Sequence, residues 1–446
     1  MTDLARLTHA LIDAAKKAGA DHADALAVQG TSVAIDIRAG QLETAERSEG
    51  TEIGLRVLIG RRQACVSASD ISDATVRALA ERAVAMAKEA PADPYAGLAD
   101  ASQIAKEWNL ASLEMEDPAA EPTASELETA ARDVEAAAMS VNGITQVEAS
   151  GAYSRRAMHL SASNGFSGGY GRTSHSLSAV AFTGTGTAME RDWAAEGRTF
   201  RADMPGAEGI GLVAADRALQ RAGAVRPRTG TYPVVYDERV ASSLIGHLIS
   251  AANGAAVARG ATWLRDALGQ QVLPKGLSVI EDPHRPRISA SRPFDGEGLA
   301  TRRRVIVEDG ILMGWTLDLA TGRKLGMPST ASAARGVSSP PSPSTSNIDL
   351  TPGTRTQRDL IAEMGTGLLI TSMIGSTINP TTGDYSRGAS GFWVENGEIC
   401  YPVNECTIAG NLRDMLLRII PANDARDHLS TRVPSLLIDG MTLAGA

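Results

Sequence analysis

Cysteine is scarce in this chain. Cys65, Cys400 and Cys406 are the only three in 446 residues, an odd number without CxxC spacing. A disulfide framework or a thiolate zinc site needs more thiols at closer spacing, so the pattern argues against both and fits a reducing compartment. Long apolar runs are missing too. No window approaches the ~18 uninterrupted apolar residues of a membrane span, and none is expected. The first residues, Met-Thr-Asp-Leu-Ala-Arg-Leu, spread charge where a secretory signal would carry an apolar run. Basic excess is also absent: the net charge is −9 and the pI about 5.4. A broad nucleic-acid surface leans basic, so no nucleic-acid partner is expected, although Arg302, Arg303 and Arg304 cluster locally. Together these absences lead to the expectation of a soluble cytoplasmic protein.

Familiar catalytic spacings are equally thin. The seven histidines form neither H-x-x-x-H nor H-E-x-x-H, which would bring two imidazoles together on one helix face. His159 and His175 fall on neighbouring expected strands and could pair across them, but a partly exposed strand histidine is the commoner reading. GxGxxG does not occur, so no dinucleotide signal remains. Gly165-Phe166-Ser167-Gly168-Gly169 matches G-x-S-x-G, whose nucleophile needs a strand–turn–helix elbow. Tyr170 to Val180 alternates like a strand instead, so this reads as a hairpin turn. Asp295, Glu297 and Asp309, and Asp384 with Glu395, are carboxylates in shared regions. Turn residues and solvated charges are their default reading.

What is present describes an ordinary globular chain, 43% hydrophobic and 21% charged, long enough for two or three domains. Leu4, Leu7, Leu11, Ile12 and Ala15 predict a helix closed by Gly19, and a second runs over Asp73 to Glu89. Strand-like runs lie between them. Ser125-x-x-Glu128 suggests a capping box before an Ala-rich helix. Strand-like alternation then runs from Gly143 to Arg201, with an Asn164-Gly165 turn and a closing helix from Ala207. Beyond Tyr232, a helix from Glu238 is followed by hairpins at Asp309-Gly310 and Asn396-Gly397. Ser338 to Ser346, rich in serine and proline, reads as a flexible surface loop. The fold class is therefore α+β. Small N-terminal α/β-type units (1–105 and 106–225) precede a mostly antiparallel, strand-rich C-terminal domain (226–446).

The third segment resembles the TldD/PmbA family, specifically its PmbA (TldE) branch. The resemblance is carried by Gly246-His247-Leu248, Asp266-Ala267-Leu268-Gly269, Pro293-Phe294-Asp295-Gly296-Glu297-Gly298 and Glu363-Met364-Gly365-Thr366-Gly367. The longest match runs from Thr382-Gly383-Asp384-Tyr385-Ser386-Arg387-Gly388 through Gly391-Phe392-Trp393 to Ile399. It is strong from about Tyr232 to the C-terminus and weaker but consistent before it.

In that family the TldD-type subunit looks like a zinc peptidase carrying H-E-x-x-x-H on a helix and a cysteine near its C-terminus. Matched residue by residue, the first His falls at Gly246, the Glu at His247, the second His at Ala251 and the Cys near Val433. Gly, Ala and Val offer zinc no side-chain donor, so the resemblance implies a chain without metal or catalytic residues of its own. It implies a heterodimer in which the TldD-type partner supplies zinc, with a homodimer possible when the chain is alone. It also implies unfolded or short peptide substrates, held in extended form by strand addition. His247, Asp384, Tyr385, Arg387 and Gly391 are the candidate peptide or partner contacts, the last four alternatively forming a tight turn before the final hairpin. An autonomous hydrolase using Ser167 or a His159/His175 metal site, and a homodimeric binding or regulatory protein, are the rival readings.

Overall fold

The computed structural model describes residues 3–445. The first helix, α1 (Leu4–Ala18), starts where the Asp3 side chain accepts from the Arg6 N–H at 3.0 Å. It ends where Gly19 takes a left-handed φ of 101°. Its apolar stripe is buried, and full burial of one such residue, Leu11, contributes roughly 2 kcal/mol. Four strands and two helices follow: β1 (His22–Arg38), β2 (Gln41–Ile59), β3 (Arg62–Ala68), α2 (Asp73–Glu89), α3 (Ala124–Met139) and β4 (Ile144–Ala162). Then come β5 (Ser167–Thr183), β6 (Glu190–Arg198) and α4 (Ala207–Gln220).

All six strands form one antiparallel sheet in the order β3-β2-β1-β4-β5-β6. Hydrogen bonding therefore runs unbroken from the first segment into the middle one, with β1 joined to β4 along fifteen paired positions from Asp24↔Ala162 to Arg38↔Glu148. Alternation splits the sheet into two faces. Ala23, Ala25 and Ala27 pack under α1 and α2, and Val33, Ile35 and Ile37 pack under α3. Leu26 and Val28 point the other way and meet Phe294 of the C-terminal domain.

Three local readings need correction. The capping box lies two residues earlier than expected: Thr123 Oγ1 accepts from the Glu126 N–H at 3.2 Å, and Glu126 Oε2 accepts from the Thr123 N–H at 2.8 Å. Thr123-x-x-Glu126 satisfies the same chemistry directly after Pro122, so the helix starts there. His159 and His175 do not pair. His159 stands opposite Gly169 and His175 opposite Tyr153, a six-residue offset of roughly 20 Å along the strands. The Ser/Pro segment is not a free loop. Ala333–Ala334 pairs with Ser342–Pro343, and Ser346 donates to the buried Glu281 from both its N–H (2.6 Å) and its hydroxyl (3.0 Å). Its exposed residues are Ser338 to Pro340 at the tip and Ser342.

The C-terminal domain is built on β7 (Gly230–Tyr236), α5 (Glu238–Ala251), β8 (Gly367–Ile378), β9 (Asp384–Glu395), β10 (Glu398–Asn411) and β11 (Leu436–Ala444). Its main sheet runs β10-β9-β8-β7-β11 and curls until β10 meets β11 at Thr407↔Ala444. The pairing is antiparallel except between β7 and β8. Asn396 (φ 53°) and Gly397 (φ 79°) make the β9–β10 turn, and Asp309 (φ 48°) with Gly310 (φ 82°) makes the other expected hairpin. The fold is α+β with a strand-rich C-terminal domain. Among the described residues no helix is long and apolar enough to cross a membrane.

The two halves meet at buried charge. Asp24 of β1 is 3% exposed and accepts from Arg56 Nε at 2.9 Å, while its other oxygen accepts from Arg335 of the C-terminal domain. Burial alone would raise the Asp24 pKa, but Arg335 and Arg56 outweigh it and hold the carboxyl below its usual range. Its contribution to stability is thus present above the unfolded value of about 3.9 and is lost as pH falls through the lower folded value. Asp24→Asn should cost about 3–5 kcal/mol at neutral pH, because it leaves two buried guanidinium groups facing a neutral amide. A denaturant midpoint shift worth less than about 1 kcal/mol would contradict this account of the seam.

Candidate functional site

Helix α5 leaves the end of β7 with Asp237 as its cap, whose side chain accepts from the Arg239 N–H at 3.1 Å. Ala241, Leu244, Ile245, Leu248 and Ala251 face the core. Gly246 faces open space, with nothing within 4 Å of a Cβ built there. His247 is half-buried and stands edge-on to Tyr385, ring centroids 6.0 Å apart. Its Nε2 is buried and has no hydrogen-bond partner. Burial, and then the Arg387 charge, push the His247 pKa down, so the ring is neutral at pH 7.

The structure brings together three of the five candidate contacts. Tyr385 is 2% exposed, and its hydroxyl lies 3.4 Å from Met373 Sδ on β8. Burial pushes its phenol up, and pushes that of Tyr236 beside it well up. Arg387 Nε donates to the Gly375 carbonyl at 2.8 Å across the β8–β9 ladder. Asp384 stands apart from this group. Its carboxylate accepts from Thr382 Oγ1 (2.7 Å) and Asn411 Nδ2 (3.1 Å), which hold it below its usual range and tie the turn to β10. Gly391 is farther still, opposite Ile370, where a Cβ would sit 1.9 Å from the Leu369 carbonyl. Close strand packing accounts for that glycine. The alternative turn reading is corrected as well: Asp384 to Gly391 lie within β9, and the turn is the Asn379–Gly383 stretch before it, with Gly383 at φ 84°.

On its side away from β9, β8 has an open edge. β7 pairs with it only over Leu368–Ile370, and no strand occupies that side of Thr371–Ile378 among the described residues. Ile374 on this stretch is 78% exposed.

The residues of α5 do not fit a zinc ion. Gly246, His247 and Ala251 supply a single imidazole, Ala251 is 6% exposed in the core, and Val433 is buried. Zinc sites take three or four protein ligands. Among the described residues no group of three His, Cys, Asp or Glu could hold a metal.

One pair was missed from the sequence. Asp295 and Glu297 are 2% and 8% exposed, not solvated turn charges. Asp295 accepts N–H bonds from Glu297 (2.9 Å), Leu299 (2.9 Å) and Ala333 (3.1 Å), and Glu297 Oε2 accepts from the Leu319 N–H at 2.8 Å. Burial, then Asp295 and Asp318, push the Glu297 pKa well up. Asp-Gly-Glu reads locally as a surface turn. The signal that could have marked it was its neighbour Phe294, which packs against Phe166, Trp108 and Tyr170.

Comparison with known proteins places this architecture in a class. Successive parts of the chain match the three domains of the PmbA/TldA metallopeptidase models: domain 1 at residues 23–87, the central domain at 116–222 and the C-terminal domain at 229–445. The chain therefore belongs to the PmbA/TldD family of metallopeptidase type. It is 36% identical to Metalloprotease PmbA of Escherichia coli O157:H7, over 95% of this chain and 92% of that one. It is 33% identical to the Metalloprotease PmbA homolog of Haemophilus influenzae, over 97% and 94%. The solved structure of TldE from Thermococcus kodakarensis superposes with a TM-score of 0.85 at 18% identity, covering 98% of this chain and 100% of that one, which shows the shared fold.

Glu297 gives a testable pH signature. A raised folded pKa contributes stability that is full below the unfolded value, about 4.3, and is lost as pH rises towards the folded value. Glu297→Gln should flatten the decline of Tm with pH above that point and leave the variant relatively more stable at pH 8 than at pH 4. An unchanged pH profile would contradict the raised pKa.

Proposed function

We propose that this chain is the metal-less subunit of a two-subunit cytoplasmic metallopeptidase, pairing with a TldD-type zinc subunit and acting on unfolded or short peptides. The observation that carries this is helix α5, where one neutral imidazole with an unpartnered Nε2 stands in place of a ligand set. Without a Lewis acid a bound water keeps a pKa of roughly 15.7, so α5 supplies no hydroxide nucleophile at neutral pH. Its own contribution is binding. The open β8 edge offers backbone donors and acceptors to an extended peptide of any sequence. Arg387, bonded to the Gly375 carbonyl of β8, and the half-buried His247 are its candidate side-chain contacts.

The chain purified alone should leave unfolded protein intact, and mixing with a TldD-type subunit should give stable association and cleavage. Cleavage by the isolated chain would overturn the reading. A chain that never associates with a TldD-type subunit would favour a homodimeric binding or regulatory role. Within the complex, Ile374→Asp should raise KM for a peptide while kcat and zinc content stay unchanged, the signature of lost uniform binding. An unaltered KM would remove the β8 edge from the account.

A further inference from the structure

The β4–β5 hairpin and α1 bring two histidines to one spot that the proposed function does not use. His9 is exposed on α1, and His159 is half-buried on β4, with ring centroids 6.0 Å apart and planes at 86°. His9 Nε2 lies 3.1 Å from Ser167 Oγ, and His159 Nε2 lies 3.5 Å from the same oxygen. Two ring nitrogens thus converge on one hydroxyl at the start of β5.

His159 is anchored through its Nδ1 to α1. Thr8 is fully buried and donates its single hydroxyl proton to the Ala5 carbonyl at 2.9 Å. The same oxygen lies 2.9 Å from His159 Nδ1 and 2.9 Å from Ser161 Oγ. In the tautomer that donates from Nδ1 to Thr8, Nε2 carries the lone pair. An imidazole held through Nδ1–H, with its Nε2 lone pair turned outward, is the arrangement that metal-ligating histidines use. Burial, then His9, lower the His159 pKa and keep the ring in its neutral, ligating form.

A nucleophilic serine fits the spot less well. Ser167 is followed by a strand, so no helix follows to form the elbow, and its neighbour Gly168 is closed over by Trp108, 2.7 Å from a Cβ built there.

We propose that His9 and His159 form a binding site for a divalent first-row transition ion, with the Ser167 hydroxyl and water completing the coordination. Imidazole ligands suit Zn2+, Cu2+ and Ni2+. Each Nε2 must come within ~2.0–2.1 Å of the ion, which the exposed His9 side chain reaches by swinging inward while the Ser167 oxygen stays turned towards the ion. The bound ion clips α1 to the β4–β5 hairpin, tying the start of the chain to the sheet. The sequence left a cross-strand pairing of His159 with His175 open as the less common reading; the fold gives His159 His9 as its neighbour. The site involves no residue of α5 and does not depend on the peptidase reading.

The full chain, stripped of metal, is titrated with Zn2+ by calorimetry and with Cu2+ by electron paramagnetic resonance. One ion per chain is expected, with nitrogen hyperfine splitting from two imidazoles and a Tm that rises with Zn2+ concentration. His9→Ala and His159→Gln should each weaken binding about tenfold or more. His175→Ala and His247→Ala should leave it unchanged. His9 is exposed on a helix, so circular dichroism should show its alanine variant folded. Absence of binding, binding indifferent to His9→Ala, or binding lost on His247→Ala would overturn the proposal. Peptide cleavage by the two-subunit complex is a separate readout, so failure here and failure of the peptidase reading remain distinguishable.

Discussion

The carboxylate of Asp24, held between Arg56 of its own sheet and Arg335 of the other domain, is the contact on which the relation of the two halves depends. Such a group is costly to bury and stays buried only while both partners are in place. Around it the backbone leaves no slack: a Cβ on Gly54 would lie 2.0 Å from the Val337 carbonyl, so only glycine admits the segment that carries Arg335. Ala333, two residues before Arg335, donates to Asp295, whose neighbour Glu297 accepts from Leu319 at the start of a further helix. Buried carboxylates thus link β1 of the N-terminal sheet to the interior of the C-terminal domain.

How legible this was depended on the range of the interaction. Helices α1 and α2 and both Asn/Asp-Gly hairpins were readable, because apolar period, caps and positive-φ pairs are local properties. The joining of β1 to β4 was not, since nothing within either strand names a partner more than a hundred residues away. The carboxylates illustrate the same limit. Asp295 looks like a turn residue until Phe294, Phe166 and Trp108 close over its surroundings. Of the candidate contacts, His247, Tyr385 and Arg387 are gathered by the fold. Gly391 was marked by the same family motif for a different reason, the close approach of Leu369.

The chemistry left to α5 is narrow. A neutral imidazole with a free Nε2 can accept or donate one hydrogen bond, but it cannot polarise a carbonyl as a metal does. Arg387 pushes the His247 pKa down and so works against an imidazolium there. Gly246 leaves open space on the helix, and the single imidazole beside it supplies too few ligands for zinc. Under the proposed function, this domain's part in peptide cleavage is to hold a chain in place.

Two unpaired strand stretches differ in a way that bears on this. The outer part of β2, from Gln41 to Glu52, has no partner beyond β1 among the described residues, because β3 pairs only with Ile53–Ile59. It carries Glu43, Glu46, Glu49 and Glu52, and charges on an edge discourage strand addition. The open stretch of β8 carries none: Thr371-Ser372-Met373-Ile374-Gly375-Ser376-Thr377-Ile378 is uncharged throughout. An exposed, uncharged edge is a liability for aggregation unless something occupies it. One edge is protected against pairing, and the other lies bare and uncharged. That asymmetry supports the proposal that β8, and not β2, is the edge that receives an extended peptide.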